Sequence, residues 1–194
     1  MQVLERAHDL LDKGVDCYAR IDDATLGEAV FVLLERADRA LPFVELLTMV
    51  GLADHMLLRE TGSPISGDDY LSIPNGPVPI QLFSEMHRSF EKDELWQGRV
   101  SVERENLRLS GAGECKNLSK RQKTVLERAF VAVRGKSAAE VVETMHEVCP
   151  AWLSNLNGVF TLSDALESFG ASAEDATARV AEIRSSYRPL HRAS

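Results

Sequence analysis

An aspartate and a histidine carried by separate helices can do acid–base chemistry, and Asp54 and His146 are such a pair in this chain. A carboxylate bonded to one imidazole nitrogen sets the tautomer and leaves the other nitrogen ready to take a proton. Both residues are expected to face inward, so a pocket holding the pair would suit a hydrolase-like enzyme. The competing expectation is a buried pair that only pins two helices in register. The structural role is favoured, because no nucleophile motif lies near either residue. His55, next to Asp54, leaves its helix in a different direction and cannot act with it on one atom. It is expected to be an exposed structural residue.

The other chemical candidates are weaker. Cys149 precedes Pro150 at an expected helix C-terminus, where the dipole raises a thiol pKa and disfavours a catalytic thiolate. Gly111-x-Gly113 is half of a phosphate-binding fingerprint and lacks the strand-then-helix setting that such a loop needs. The chain has no P-loop, HExxH, GxSxG or paired CxxC pattern. No catalytic, cofactor-binding or metal-binding residue is therefore assigned.

The elements that must position these residues are mostly helices. Val3–Ala19 has Leu4, Ala7, Leu11 and Val15 near one face. Thr25 stands three residues before Glu28, the spacing of a capping box that opens a second helix running through Ala37 to Leu41. The third helix, about Phe43–Glu60, is nearly all apolar, with Glu45, Thr48, His55 and Arg59 as one narrow polar stripe. Asp54 shares its inner face with Phe43, Leu47, Val50 and Leu57, so its carboxylate must find a donor or take up a proton. Ile80–Phe90 is a fourth helix. Between Gly98 and Leu109 the period changes to two, which predicts a β-hairpin turning at Glu105-Asn106. Capping boxes at Ser119/Gln122 and Ser137/Glu140 open two more helices, closed by Gly135 and Pro150. In the second of them Ala138, Val142, Met145 and Cys149 form the apolar line. Ser163–Phe169 and Ser172–Ser186 complete the set, with Arg184, Arg188 and Arg192 expected to be solvated. The expected fold is mainly α, a compact helical domain with one small antiparallel β-hairpin.

The longest run without a helical period is Thr61–Pro79, TGSPISGDDYLSIPNGPVP. Gly62 suits the left-handed end of the preceding helix, and Pro64 prevents the helix from resuming. Ser66-Gly67-Asp68-Asp69 is a turn cluster, Tyr70–Ile73 a short extended piece, and Pro74–Pro79 a stiff second turn. Tyr70 and Trp152 are each either core residues or interface anchors.

Composition narrows the function. With 44% apolar and 27% charged residues, the 194-residue chain is an ordinary globule long enough to bury its own core. A net charge of -8 argues against a non-specific grip on nucleic acid and fits a basic partner. Three widely spaced cysteines, Cys17, Cys115 and Cys149, suit neither a disulfide framework nor a four-ligand zinc site. The N-terminus lacks a signal-like apolar run, and no segment approaches a charge-free membrane span, so a cytoplasmic protein is expected.

Leu46–Pro79 resembles the Panacea domain, the SocA-like antitoxin domain of bacterial and phage toxin–antitoxin pairs. The pieces that carry the resemblance are Ala53-Asp54, then Gly62-Ser63-Pro64-Ile65-Ser66-Gly67-Asp68-Asp69-Tyr70, then Gly76-Pro77-Val78-Pro79. A second stretch, His146 through Pro150 to Trp152, resembles the family's histidine, proline and tryptophan run. The likeness covers roughly residues 25–170. It leaves an N-terminal helix in 1–24 outside the pattern, and a C-terminal helix and polar tail in 171–194 packed on the same domain. The resemblance implies an antitoxin without enzymatic activity that neutralises a cognate protein toxin, encoded by the adjacent gene, through direct contact. An adaptor that delivers its toxin to a protease is the alternative within the family. The family-motif residues Asp54, Pro64, Gly67, Asp68, Tyr70, Gly76, Pro77, Val78, Pro79, His146 and Trp152 then serve the fold or face the partner.

Overall fold

The computed structural model of the chain describes residues 23–186, apart from residues 75, 91–93, 96–98, 104–105, 112–114 and 155–157. The expected helix Val3–Ala19 and the tail beyond Ser186 lie outside the described residues. The first described helix, α1, is Asp23–Arg36. It starts before Thr25, so the capping box expected there is not formed. Glu28 reaches across the fold instead, and its carboxylate accepts from the amides of Lys116, Asn117 and Leu118 at 2.8–2.9 Å. Burial works to raise the Glu28 pKa, but these amide bonds outweigh it and hold the group below its ordinary value.

α1 stops at Arg36 rather than running on to Leu41. Asp38 and Arg39 both take left-handed φ angles, 54° and 72°, and the Arg39 guanidinium donates to the carbonyls of Leu109 at 3.2 Å and Gly111 at 2.9 Å. Residues Ala40–Pro42 form strand β1, which leads directly into α2, Phe43–Thr61. Gly62 ends α2 at φ 72°, with its amide returning to the Leu58 carbonyl.

The loop then forms β2, Tyr70–Ile73, and β3, Gly76–Pro79. Helix α3, Ile80–Phe90, follows, then short β4, Glu94–Leu95, and the hairpin β5, Val100–Glu103, with β6, Asn106–Leu109. Next come α4, Lys120–Val133, α5, Ala138–Val148, and α6, Pro150–Ser154. Strand β7, Val159–Phe160, and helices α7, Leu162–Ser168, and α8, Ala173–Ser186, complete the described chain.

The fold is mainly α, but its strands make more than one hairpin. The expected β5–β6 hairpin is extended on both sides into an antiparallel sheet of order β1-β6-β5-β4. A second antiparallel sheet, β3-β2-β7, pairs Tyr70 with Pro79 on one side and Phe160 on the other. The expected Pro74–Pro79 turn is therefore mostly strand. Pro77 and Pro79 are tolerated because β3 is an edge, where a missing amide donor breaks no inner ladder. A two-stranded ribbon is marginal alone. Here Val100, Leu107 and Leu109 of the hairpin are all buried in the common core.

The capping boxes at Ser119/Gln122 and Ser137/Glu140 form as expected, and a third at Thr161/Asp164 opens α7. Pro150 both stops α5 and begins α6, since its fixed φ suits a first helical turn. On α5 the buried residues are Val141 and Met145, continued by Cys149, while Ala138 is exposed and Val142 half-covered. α2 is the hub of the molecule, packing on α4, β3, α1 and α5. Ion pairs from Glu60 to Arg121 and Arg128, and from Glu45 to Arg134, run between α2 and α4. Such exposed pairs contribute little energy but favour one alignment of the two helices.

Candidate functional site

Asp54 lies in the middle of α2 with no solvent exposure, and the loop after α2 is wrapped around its carboxylate. Oδ1 accepts from the amides of Ile65 at 2.8 Å and Ser66 at 3.0 Å. Oδ2 accepts from the Ser66 hydroxyl and from the Tyr70 hydroxyl at 3.2 Å. Four donors meet the acceptor capacity of an ionised carboxylate. The Ser66 hydroxyl in turn accepts from the Asp68 amide at 3.1 Å. The Asp68 carboxylate accepts from its neighbour's amide and, through Oδ2, from Gln81 at 2.7 Å and Leu82 at 3.3 Å. It thereby satisfies the first amides of α3, as a helix N-terminus requires. Asp69 does the same for α7: its Oδ1 accepts from the Leu162 amide and from Arg184 Nη2, both at 2.8 Å. Three carboxylates within sixteen residues thus fasten the loop to α2, α3 and α7.

The glycines and prolines hold the loop's shape. Gly67 sits at φ 71°, a left-handed conformation that costs other residues energy. Gly76 sits at φ 130°, and a Cβ there would lie 2.9 Å from Met145 Cε. Pro64, Pro77, Val78 and Pro79 are buried. Trp152 reaches the same core from α6 and donates its indole N–H to the Ile73 carbonyl at 3.0 Å. Trp152 and Tyr70 are 2% and 0% exposed, which settles both as core residues in this structure.

The structure does not bring His146 to Asp54. His146 is exposed on α5, its ring 5.4 Å from that of Trp152, and none of the four donors to Asp54 comes from it. The Asp54–His146 acid–base pair is therefore withdrawn, and with it the pocket meant to hold a substrate. The error lay in the phase of α5, which turns its Val141–Met145 line inward and leaves His146 outside. Replacing His146 with alanine is accordingly expected to change unfolding free energy by no more than about 0.5 kcal/mol, as for other exposed positions, read from urea midpoints.

His55 departs from expectation in the other direction. It is fully buried, its Nδ1–H donating to the Gly51 carbonyl at 2.8 Å. Its ring packs 4.5 Å from Tyr70 and 5.8 Å from Phe160. Nε2 is buried without a hydrogen-bond partner among the described residues. The polar stripe on α2 is wet only at its ends, because the sheet β3-β2-β7 covers its middle. Arg184, expected in a solvated tail, is instead paired with Asp69.

Burial pushes the Asp54 carboxyl up to about 6 against the pull of its four donors. Burial pushes His55 down to about 4, with the Gly51 bond opposing. The two act in opposite senses on stability. The raised Asp54 contributes fully below its unfolded value of 3.8, and its contribution is lost as pH rises through 6. The lowered His55 contributes fully above 6.5 and is lost as pH falls through 4. Asp68, raised mainly by burial, acts in the same sense as Asp54. Asp54→Asn removes Asp54's own part of this balance and leaves that of Asp68. Its stability is expected to fall on acidification from pH 6.5 to 4 by about 2–3 kcal/mol more than that of the unaltered chain, as measured by urea unfolding at the two pH values.

Cys149 is buried, and burial lifts its thiol to about 12, consistent with an inert core residue. Among the described residues no group of histidine, cysteine, aspartate and glutamate could hold a metal ion, and no helix is long and apolar enough to cross a membrane. The Gly111-x-Gly113 motif falls partly outside the described residues.

Sequence reading missed four contributors: Gly51, Ser66 as a bridge between two aspartates, Asp69 as the cap of α7, and the arginines of α8. Gly51 alone had a signal, since a glycine inside an apolar helix usually marks a close approach. The arrangement leaves Asp54 without a free lone pair or a route to solvent, so it serves as an internal anchor for the loop. Compared with known families, residues 48–153 match the family described as Antitoxin SocA-like, Panacea domain. No curated protein and no solved structure matches the chain.

Proposed function

The chain belongs to the SocA-like Panacea antitoxin family, and on that premise we propose that it neutralises a cognate protein toxin by binding it directly. The toxin is the product of the adjacent gene. What carries this reading is the family match together with the use made of the motif. Ten of its eleven named residues are buried in the fold, held by hydrogen bonds and packing that leave Asp54 nothing to offer a substrate. The motif then makes a stable scaffold, and recognition falls to the surface around it.

The surfaces proposed for recognition are the β5–β6 hairpin, the N-terminal segment 1–24 and the C-terminal region. On the hairpin, Glu103 and Arg108 form an exposed pair at 2.7 Å. Exchanging their charges is expected to leave the melting temperature within about 2 °C while weakening toxin binding several-fold through lost complementarity. Calorimetric melting and titration would check both halves. The function itself is tested by co-expressing the tagged chain with its genomic neighbour and by growing cells that carry the neighbour alone. A stoichiometric complex with a neighbour that arrests growth supports the proposal. A harmless neighbour with no complex overturns it.

A further inference from the structure

Helix α8 is held to the molecule by a narrow contact. Of its fourteen residues, Ala176 and Ile183 are buried, and its main neighbour is α7. Its hold on the motif loop is polar. Arg179 donates through Nε to the Gly62 carbonyl at 2.9 Å and through Nη2 to the Ser63 hydroxyl at 2.7 Å. Its Nη1 pairs with Glu182 on α8 itself. Arg184 donates through Nη2 to Asp69 Oδ1, both side chains being largely covered.

The fit is incomplete, because Arg184 Nε is buried without a hydrogen-bond partner among the described residues. A buried donor left unpaired weakens the contact that buries it. The receiving surface, by contrast, is firmly built. Asp69 Oδ1 also takes the Leu162 amide, the Asp69 carbonyl takes the Ile80 amide at 3.0 Å, and Asp68 holds the start of α3. That surface consists of a carbonyl, a hydroxyl and a carboxylate, all able to accept hydrogen bonds from a cation. α8 also lies beyond the matched segment 48–153.

We propose that α8 occupies, as an internal stand-in, a docking surface on the Gly62–Asp69 loop for an arginine-bearing helix of a partner protein. Elements with little buried area open locally while the rest of a fold stays closed, so α8 can lift away and leave the loop in place. A partner helix that satisfies its arginines more completely then competes for the surface. The acidic chain, at -8, attracts such a basic segment before contact. The proposal rests on the reading of this chain as a protein-binding module, but its test uses no toxin, so either can fail alone.

The test uses the full chain. By hydrogen exchange, α8 amides are expected to exchange at least about 100-fold faster than those of α2. A labelled peptide with the sequence of residues 172–186 is then added to the unaltered chain and to the double variant Arg179→Gln/Arg184→Gln, whose own helix is loosened. The peptide is expected to bind the variant at least about 10-fold more tightly, which corresponds to about 1.4 kcal/mol. A peptide with both arginines changed to glutamine is expected not to bind. Exchange of α8 in step with α2 would overturn the proposal, as would equal peptide affinity for both proteins or undiminished binding of the glutamine peptide. If the double variant loses its helical signal, Arg184→Gln alone is read in the same way.

Discussion

Asp54→Ala is expected to destabilise the fold by about 4 kcal/mol, an effect set by two backbone amides left without an acceptor in a dry interior. The carboxylate receives the Ile65 and Ser66 amides and the Ser66 and Tyr70 hydroxyls. The hydroxyls can turn toward other acceptors, but the amides are fixed by the loop. Each unsatisfied buried donor costs about 1–3 kcal/mol, and the loss is a large fraction of an ordinary domain's stability of about 5–15 kcal/mol. Urea unfolding should show a lower midpoint at an unchanged slope. The effect is also expected to reach beyond α2. Ser66 bridges to the Asp68 amide and Asp68 caps α3, so amides of Gln81 and Leu82 should lose exchange protection. A variant as stable as the parent would show that the loop does not depend on this anchor.

The second large effect is expected at Gly51→Ala. On an exposed helix this change stabilises by up to about 1 kcal/mol. Here a Cβ would lie 2.1 Å from the Pro77 carbonyl oxygen and 3.1 Å from its carbon. These are backbone atoms and cannot swing aside, so α2 and β3 must separate. β3 is held on its other side, where Gly76 abuts Met145. A net loss of about 3 kcal/mol follows from overpacking of this kind, which for a chain of this size lowers the melting temperature by roughly 6–12 °C. A variant that melts at or above the parent's temperature would mean that α2 and β3 do not approach so closely. The two substitutions test different things, polar satisfaction in one case and backbone approach in the other.

What sequence determined by itself was whatever depends on near neighbours. The period of Phe43–Glu60 placed α2 and turned Asp54 inward, since a helix fixes the directions of its own side chains. Gly62 as the stop of α2, the boxes at Ser119 and Ser137, and the hairpin at Val100–Leu109 are likewise local, each being complete within a few residues. The motif Gly62–Pro79 also pointed to the family, because a string of residue types needs no folded partner to be recognised. Tertiary structure decided everything that required a second element. Only the covering sheet could bury His55, and only the phase of α5 against its neighbours could put His146 outside. Glu28 was free to cap its own helix until the Lys116–Leu118 amides, far along the chain, offered more donors. The donors that Asp54 demanded came from its own following loop, and the arginines of α8 found acceptors on that loop only once α7 had brought them there. Local geometry says which way a side chain points, and packing decides what waits for it.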